Sequence, residues 1–419
     1  MQVPASRPGF ARWLAAIAAA GLAVRLLYIL VLTPHLRGLG DAAYYHGLAN
    51  ALADGRGFVE PTFGTATALH PPLFPLVLAA FSALGLDSYQ AHRVVVALIG
   101  TATIAGAGLV ARQVAGERAG LIAAALAAAS PVLISADGAV MSETLLGLLV
   151  VLAALLAYRL REQPSIKRAG ALGVVIGLAA LTRGEAILLL VLLLPALRRR
   201  HVLPVIACCL IVLAPWTIRN LTTFEEPVPI STNEGNLLAG ANCDSTYRGR
   251  DIGSWDLRCV KPGPPEDESQ AGARLRSDGL DYAGDHASRI PLVIAARLGR
   301  TFDLFQPIRQ AQAAEGRAEG LEIAGAISFF VLLPLGLYGA VLLRRRRVPL
   351  SPLLAPFGLA LAATVVGYGV PRFRHPADVA LIVLAAVALA PRWPRRAPSA
   401  PEGSPAASGS APAAPPRSS

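Results

Sequence analysis

The sequence predicts an all-α polytopic membrane protein with about ten transmembrane helices. Three observations support this class: 54% of the 419 residues are hydrophobic, only 16% are charged, and several apolar stretches match the length that crosses a bilayer. A soluble domain of this size needs more polar surface. The net charge of +11 does not indicate nucleic-acid binding, because the arginines form short runs between apolar segments and no basic stripe with interleaved aromatic residues is present.

Apolar segments follow one another along most of the chain. The first, 14–32, is predicted to be an uncleaved signal-anchor helix, because it exceeds the roughly 7–15 residues of a signal-peptide core. In order, the apolar segments are 13–33, 69–86, 91–111, 119–136, 139–158, 169–182, 185–197, 202–218, 321–343, 350–368 and 376–391.

The arginine runs indicate which of these segments cross the membrane. If all of them cross, the basic runs at 158–168 and 197–201 fall outside, against the positive-inside rule. If 69–86 instead lies on the outer face, every basic run becomes cytoplasmic, and the three prolines at its start suit an interfacial helix. We therefore predict about ten crossings with both termini in the cytoplasm.

Residues 169–197 are predicted to form a hairpin of two short helices that turns at Gly184. A single helix through "LTRGEA" is the alternative, but it would place the basic run after it on the wrong side. The hairpin puts Arg183 and Glu185 below the outer surface, where ionisable groups usually mark a functional cavity.

This topology divides the chain into predicted regions. The polar segment 219–320 is expected to be a small α/β or irregular extracytoplasmic domain, in which Cys243 and Cys259 form a disulfide that contributes roughly 3 kcal/mol; two free thiols are the alternative. The regions are a cytoplasmic segment with the first transmembrane helix (1–33), an extracytoplasmic loop with juxtamembrane helices (34–90), a transmembrane bundle (91–218), the extracytoplasmic domain (219–320), C-terminal transmembrane helices (321–394) and a disordered cytoplasmic tail (395–419).

Several arginines fall at the predicted outer face, where orientation in the membrane does not require them. Arg183, Arg219, Arg372 and Arg374 are candidates for binding a phosphate, since a guanidinium group forms paired hydrogen bonds to phosphate oxygens. The alternative is that each arginine reaches the interface or pairs with a nearby acid.

Acidic and aromatic residues at the same face are candidates for acceptor chemistry. Asp41 follows the first span and could take a proton from a hydroxyl group, with Tyr45 four residues along on the same helical face. An N-cap role is the alternative for Asp41. The further candidates for contacting a sugar or an acceptor are Tyr44, His70, Asp137 and Glu143.

Six motifs together resemble the membrane-embedded glycosyltransferases of the GT-C type, in the bacterial branch that groups protein O-mannosyltransferases (family 39) with aminoarabinose transferases. The resemblance covers 10–395, and the motifs are "GDAAYYHGLANALADGRGF", "HPPLFPLVLAAF", "MSETLLGLL", "LTRGEAILLL", "APWTIRN" and "RFRHPAD". The sequence departs from many relatives in having no second acid next to Asp41 and in the large segment 219–320.

The resemblance implies an inverting transferase in a bacterial plasma membrane, with its active site on the extracytoplasmic face. The donor would be a polyprenyl-phosphate sugar drawn from the membrane lipid, and the acceptor a hydroxyl group of a protein, glycan or lipid. Asp41 would act as the base, assisted by Asp137 or Glu143. No tightly bound metal is expected, and a divalent cation stays open. A transporter or flippase of lipid-linked sugar, or an inactive binding member, is the alternative function.

Overall fold

The computed structural model describes residues 8–313 and 316–390, and this part of the chain is mostly helical and has no β-strand. Val59 and Ala66 form an isolated antiparallel bridge in the first loop. The prediction of an all-α class is therefore confirmed. The described part of the polar segment 219–320 consists of short helices and irregular turns, so the α/β form of that domain is wrong for these residues.

The helices are numbered in chain order. They are α1 (Pro8–Leu27), α2 (Asp41–Ala53), α3 (Leu73–Ser82), α4 (Tyr89–Ala115), α5 (Glu117–Ala129), α6 (Pro131–Asp137), α7 (Glu143–Glu162), α8 (Ile166–Ala180), α9 (Leu189–Leu192), α10 (Arg199–Thr223), α11 (Asn233–Ala241), α12 (Asp244–Tyr247), α13 (Glu268–Asp285), α14 (Ile290–Thr301), α15 (Pro307–Gln312), α16 (Glu319–Arg345), α17 (Ser351–Val366) and α18 (His375–Leu389).

Short helical turns connect several of these elements. A π-helical turn at Tyr28–Leu32 continues α1. The 3₁₀ turns are Gly184–Leu188, Leu194–Ala196, Gly249–Asp251, Leu257–Cys259, Ala287–Arg289 and Pro371–Arg374.

Long apolar helices make the chain a multi-pass membrane protein. Within the described residues, five helical stretches are long and apolar enough to cross a bilayer, and α5 with α6 would add a sixth if that bent pair is one span. The five are Gly9–Leu32, Tyr89–Ala115, Glu143–Glu162, Arg199–Thr223 and Glu319–Arg345. The figure of about ten crossings stays a prediction, as does the interfacial position of α3.

Two predicted segments are broken in the structure. The segment 119–136 bends by 59° between α5 and α6, where Pro131 cannot donate a backbone hydrogen bond to continue α5. The second break lies in 169–197, where α8 ends at Ala180, before Gly184; the hairpin itself stays a prediction. Its second arm, however, is a 3₁₀ turn, the short α9 and another 3₁₀ turn that contains Pro195.

Close helix packing holds the bundle around two apolar cores. One core joins α2 and α3 to α7, α8 and α10, and the other joins α1, α4, α5 and α18. At Gly339 of α16, a Cβ atom would collide with the carbonyl group of Leu384 in α18, so glycine allows these helices to touch. The polar segment packs α11 on α13 and begins α13 with a capping box of Asp267 and Gln270.

Candidate active site

A cavity of about 440 Å³ lies where the beginning of α2, the turn after α8 and the 3₁₀ turn before α18 meet. The polar segment closes it with residues 229–237 and with Trp255. Its wall includes charged residues, among them Asp41, Arg183 and Arg372, and apolar residues such as Leu188 and Val366. A cavity with both kinds of residue can hold a ligand that has both an anionic group and an apolar part.

Asp41 is the first residue of α2, but it does not cap that helix. The N-cap is Gly40, whose positive φ of 56° favours glycine, and no side chain caps the helix. The Asp41 carboxylate instead receives a hydrogen bond from Arg372 at 3.1 Å, and its second oxygen lies 3.4 Å from Nε2 of His70. With 31% of its side chain exposed, Asp41 can meet a ligand in the cavity.

Neighbouring charges control the protonation of Asp41. Burial is the largest single effect and raises the pKa of this carboxyl, but the combined opposing effects of Arg372, His70 and Arg183 outweigh it and lower the pKa below its usual range. Asp41 is therefore ionised at neutral pH and can accept a proton.

Two arginines on the cavity wall share a buried carboxylate. Arg183 donates to Glu143 at 2.9 Å and to Glu185 at 2.6 Å. Arg372 approaches the same Glu143 oxygen at 3.7 Å and donates to the hydroxyl of Tyr368 at 2.8 Å. Because Glu143 is only 1% exposed and binds both arginines, it holds the two guanidinium groups side by side.

Aromatic residues are also part of the cavity wall. Tyr45 and His70 line it with their ring centroids 4.8 Å apart, and the Tyr45 hydroxyl donates to Ser142 at 3.3 Å. Burial raises the pKa of Tyr45, so its hydroxyl stays protonated. Tyr44 is absent from the cavity wall, and its hydroxyl bonds that of Thr67 at 2.8 Å.

Besides Tyr44, three more predicted site residues are absent from the cavity wall and bind elsewhere in the protein. Asp137 is buried against Arg25 of α1 at 2.6 Å and accepts a bond from Thr144. Arg219 donates to the carbonyl groups of Thr67 and Phe58. Each side chain finds its partners inside the protein, which the spacing of residues along the chain does not reveal.

Arg374 is the third of these residues. It is 1% exposed and donates to Asp303 and Asp378, each at 2.9 Å. Its guanidinium group also lies over the ring of Phe329, with 4.0 Å to the centroid. Arg372 also contacts two carboxylates, but it lines the cavity and is 14% exposed, whereas Arg374 does not line it.

The sequence analysis missed two residues of the cavity wall, Tyr368 and Trp255. Tyr368 lies four residues before Arg372 and bonds it, so its proximity to the "RFRH" motif was the available signal. Trp255 lies between Cys243 and Cys259, which form a disulfide in the structure. The Trp255 indole donates to the carbonyl of Asn236 at 2.9 Å, which orients the ring at the wall.

The described residues hold no group of three or more histidine, cysteine, aspartate or glutamate side chains arranged to bind a metal ion. Asp41, the acid at the cavity wall, pairs with Arg372. We therefore derive no step through a cation.

Comparisons with known proteins agree with this architecture. Residues 69–218 match the family described as dolichyl-phosphate-mannose-protein mannosyltransferase. The archaeal oligosaccharyltransferase AglB from Archaeoglobus fulgidus, in complex with an inhibitory peptide and a dolichol-phosphate, has a TM-score of 0.53 and 16% identity, over 91% of this chain and 50% of that chain. The chain is therefore similar in fold to this oligosaccharyltransferase, and residues 69–218 resemble the mannosyltransferase family.

Further GT-C structures are similar at low identity. The apo form of the Archaeoglobus fulgidus oligosaccharyltransferase has a TM-score of 0.54 and 16% identity, over 91% of this chain and 50% of that one. ArnT from Cupriavidus metallidurans, bound to undecaprenyl phosphate, has a TM-score of 0.46 and 15% identity, over 90% of this chain and 78% of that one. The chain thus spans about half the length of the oligosaccharyltransferases. Curated protein sequences give no significant match.

Proposed function

We propose that the protein is an integral membrane glycosyltransferase that moves a sugar from a polyprenyl-phosphate donor to an acceptor hydroxyl group with inversion. One observation carries the proposal: the ionised carboxylate of Asp41 faces the same cavity as the guanidinium groups of Arg183 and Arg372. An acid that accepts a proton and cations that stabilise a departing phosphate are the two groups that such a transfer needs.

The donor phosphate would bind between Arg183 and Arg372. Both are held by Glu143 and both pack against the ring of Phe373, so their guanidinium groups are preorganised. The apolar residues of the wall include Leu188 and Val366, which are 37% and 59% exposed and suit an isoprenoid chain. The related AglB was solved with a dolichol-phosphate, which supports a lipid-linked donor here.

The transfer would proceed as a single displacement. The acceptor oxygen attacks the anomeric carbon while its proton passes to Asp41, and the bond from that carbon to the phosphate oxygen breaks. The polyprenyl phosphate leaves with one more negative charge than it had in the donor. Arg183 and Arg372 stabilise this growing charge. Attack from the face opposite the phosphate inverts the configuration, which NMR of the product would test.

Other residues at the cavity would position the reactants. His70 lies next to one oxygen of Asp41 and lines the cavity. The ring of Tyr45 lies beside the ring of His70. In this proposal Glu143 orients the arginines and does not contact the acceptor. Asp137, Arg219 and Arg374 act in the fold, and Tyr44 positions the loop through Thr67.

We place the cavity on the extracytoplasmic face of a bacterial plasma membrane, with both termini in the cytoplasm and the regions bounded as in the sequence analysis. Arginine runs such as 344–347 support this orientation. Single cysteines at positions 41 and 345 test it in intact cells. If an impermeant thiol reagent labels position 345 but not position 41, the chain has the opposite orientation in the membrane, and the proposal is contradicted.

The reaction itself can be tested with the full chain in detergent. Radiolabelled polyprenyl-phosphate mannose, arabinose, galactose and aminosugars are incubated with wild type, Asp41→Asn and the control Asp54→Asn, whose site is exposed at the end of α2. The enzyme is supported if wild type and Asp54→Asn transfer the sugar, or release it to water, and Asp41→Asn does neither. In a parallel assay the chain is reconstituted into lipid vesicles. Movement of intact donor across these vesicles without cleavage indicates a flippase, and binding without either result indicates an inactive member.

A further inference from the structure

Helix α14 has the reverse of the polarity that a helix on a water-exposed domain shows. Its polar side chains are all buried, and they are Arg297, Arg300 and Thr301. Its exposed residues are all apolar, and they are Pro291, Leu292 and Ala295. In water, polar residues cover the outer face of a helix and apolar residues pack inside. The outer face of α14 therefore suits an apolar environment better than water.

The two arginines of α14 bond backbone carbonyl groups inside the protein. Arg297 donates to the carbonyl of Val365, in the last turn of α17, at 2.8 Å. This carbonyl has no partner within its own helix, because the last four carbonyl groups of an α-helix lack one. Arg300 donates to the carbonyl groups of Ile252 and Arg250 at 2.7 and 3.0 Å. Both charged groups thus fasten α14 to the protein and leave its outer face without charge.

One neighbour of α14 is an apolar helix. From Pro352 to Val366, α17 has a single polar side chain, that of Thr364. The hydroxyl groups of Thr364 and Thr301 form a buried hydrogen bond of 2.9 Å, so each satisfies the other as polar side chains do between helices in a membrane. Close to this contact, α17 exposes only apolar residues, which are Leu361, Val365 and Val366.

The contact with α16 gives the depth of α14. The ring of Phe302, directly after α14, lies 6.0 Å from the ring of Phe329 in α16. In α16, which is long and apolar enough to cross the bilayer, the uncharged part begins at Ile323. Phe329 lies six residues further along, which is about 9 Å at 1.5 Å per residue. The end of α14 is therefore level with the hydrocarbon part of α16.

We propose that the outer face of α14 is immersed among the acyl chains of the leaflet next to the candidate active site. The polar segment 219–320 then touches the lipid directly and is not wholly surrounded by water. Continuity with the exposed apolar residues of α16 and α17 favours lipid as the partner of this face. The proposal needs only the membrane class of the protein and does not depend on the reaction proposed above.

Immersion of α14 anchors the cover of the cavity. Arg300 holds the carbonyl groups just before Trp255, and Trp255 lines the cavity. Arg297 donates to the carbonyl of Ala241 at 2.8 Å, at the end of α11, and the same helix supplies Leu237 to the wall. Both parts of the cover are thus fastened to one helix that lies in the leaflet.

Fluorescence quenching of the full chain in lipid vesicles tests the immersion. Bimane is attached to Leu292→Cys, with Cys208 and Cys209 replaced by serine and the disulfide kept. We expect phospholipid brominated on its acyl chains to quench this bimane strongly, and aqueous iodide to quench it weakly.

Two further positions calibrate the quenching. Leu280→Cys is the matched control, because Leu280 of α13 is 54% exposed, against 56% for Leu292, and lies beside the exposed Arg276 and Ser277. Val331→Cys on α16, where Val331 is 60% exposed, is the reference for lipid contact. Bimane at position 292 should behave like bimane at 331 and unlike bimane at 280.

Two results would overturn the proposal. Equal iodide quenching at positions 292 and 280, without quenching by brominated lipid at 292, would place α14 in water. Protection of position 292 from both quenchers would mean that protein covers the face, and disulfide formation between two Leu292→Cys chains would identify a second copy as that protein.

Charged substitutions test the same surface through stability. A carboxylate costs free energy among acyl chains and costs little on a surface in water. We therefore expect Leu292→Glu to lower the unfolding temperature in vesicles, and Leu280→Glu to leave it close to that of wild type. Equal unfolding temperatures of the two variants would contradict the proposal. If Leu292→Glu fails to fold, the quenching experiment decides, since it needs no charged variant. Sugar transfer is not measured in either experiment, so a failure of the proposed function would leave both results valid.

Discussion

Arg372 and Arg374 are two residues apart in one 3₁₀ turn, yet one lines the cavity and the other is enclosed by the protein. Arg372 is at the cavity wall, 14% exposed, and touches the partly open Asp41. Arg374 is 1% exposed and lies between Asp303 and Asp378, with a third bond to the carbonyl of Thr301.

The difference shows how one residue type can serve recognition or stability. Arg374 is enclosed by the protein and paired with two buried carboxylates, so a change should cost stability first. Around Arg372, the acid and the cations face a cavity, so a change should cost activity first. The following predictions separate the two regions.

Asp41→Asn should have the largest effect on the reaction. Loss of the proton acceptor is expected to lower the rate of sugar transfer by about 10²–10⁴-fold, while the unfolding temperature changes little. Transfer of radiolabelled sugar and thermal unfolding of the same sample would measure both. Unaltered transfer in this variant would show that Asp41 takes no part in the mechanism.

Arg374→Gln should show the reverse pattern. Breaking a buried pair leaves Asp303 and Asp378 without their cation, and we expect a loss of about 3–5 kcal/mol in the free energy of unfolding. Denaturant titration in micelles measures this loss, and the activity of the protein that remains folded should be close to that of wild type. A stable variant without transfer activity would place Arg374 in the site instead.

Loss of the disulfide should have a smaller effect, confined to the polar segment. Replacing Cys243 and Cys259 by serine is expected to cost about 3 kcal/mol, because the unfolded loop gains conformational entropy. The loop carries Trp255, so transfer should fall as well. Serine at the free Cys208 and Cys209 is the control. Equal stability of the two double variants would show that the bond is not needed.

Arg372→Gln should shift the pH dependence of the residual activity. Arg372 lowers the pKa of Asp41, so its removal raises that pKa and moves the acidic limb of the rate profile to higher pH, by roughly one to three units. Arg372→Lys keeps the positive charge and should move the limb less. If the acidic limb of the rate profile lies at the same pH in Arg372→Gln as in wild type, the ionisation of Asp41 does not control the rate.

Local sequence signals predicted much of the fold. The apolar lengths predicted the long membrane helices, and the "LTRGEA" stretch predicted the break after α8. The bend between α5 and α6 was not predicted, although Pro131 was its signal. The α/β option for 219–320 was wrong for the described residues, because polar segments with many glycines and prolines have little periodicity to separate short helices from strands.

The site was harder to predict than the fold. Sequence chemistry selected Asp41, His70, Arg183 and Arg372, all of which line the cavity. It could not exclude Asp137, Arg219 and Arg374, because a charged residue near the end of a span looks the same whether its partner is a ligand or another side chain. Trp255 gave no signal, since its place at the wall depends on neighbours distant along the chain.

The sequence by itself determined that the protein is helical and enters the membrane many times, since apolar length and the absence of charge are local properties. Only the tertiary structure decided which charges are compensated. Arg25 reaches Asp137 across 112 positions and Arg372 reaches Asp41 across 331. Whether a guanidinium group meets a carboxylate inside the protein or a ligand in a cavity depends on such distant contacts, and so does its function.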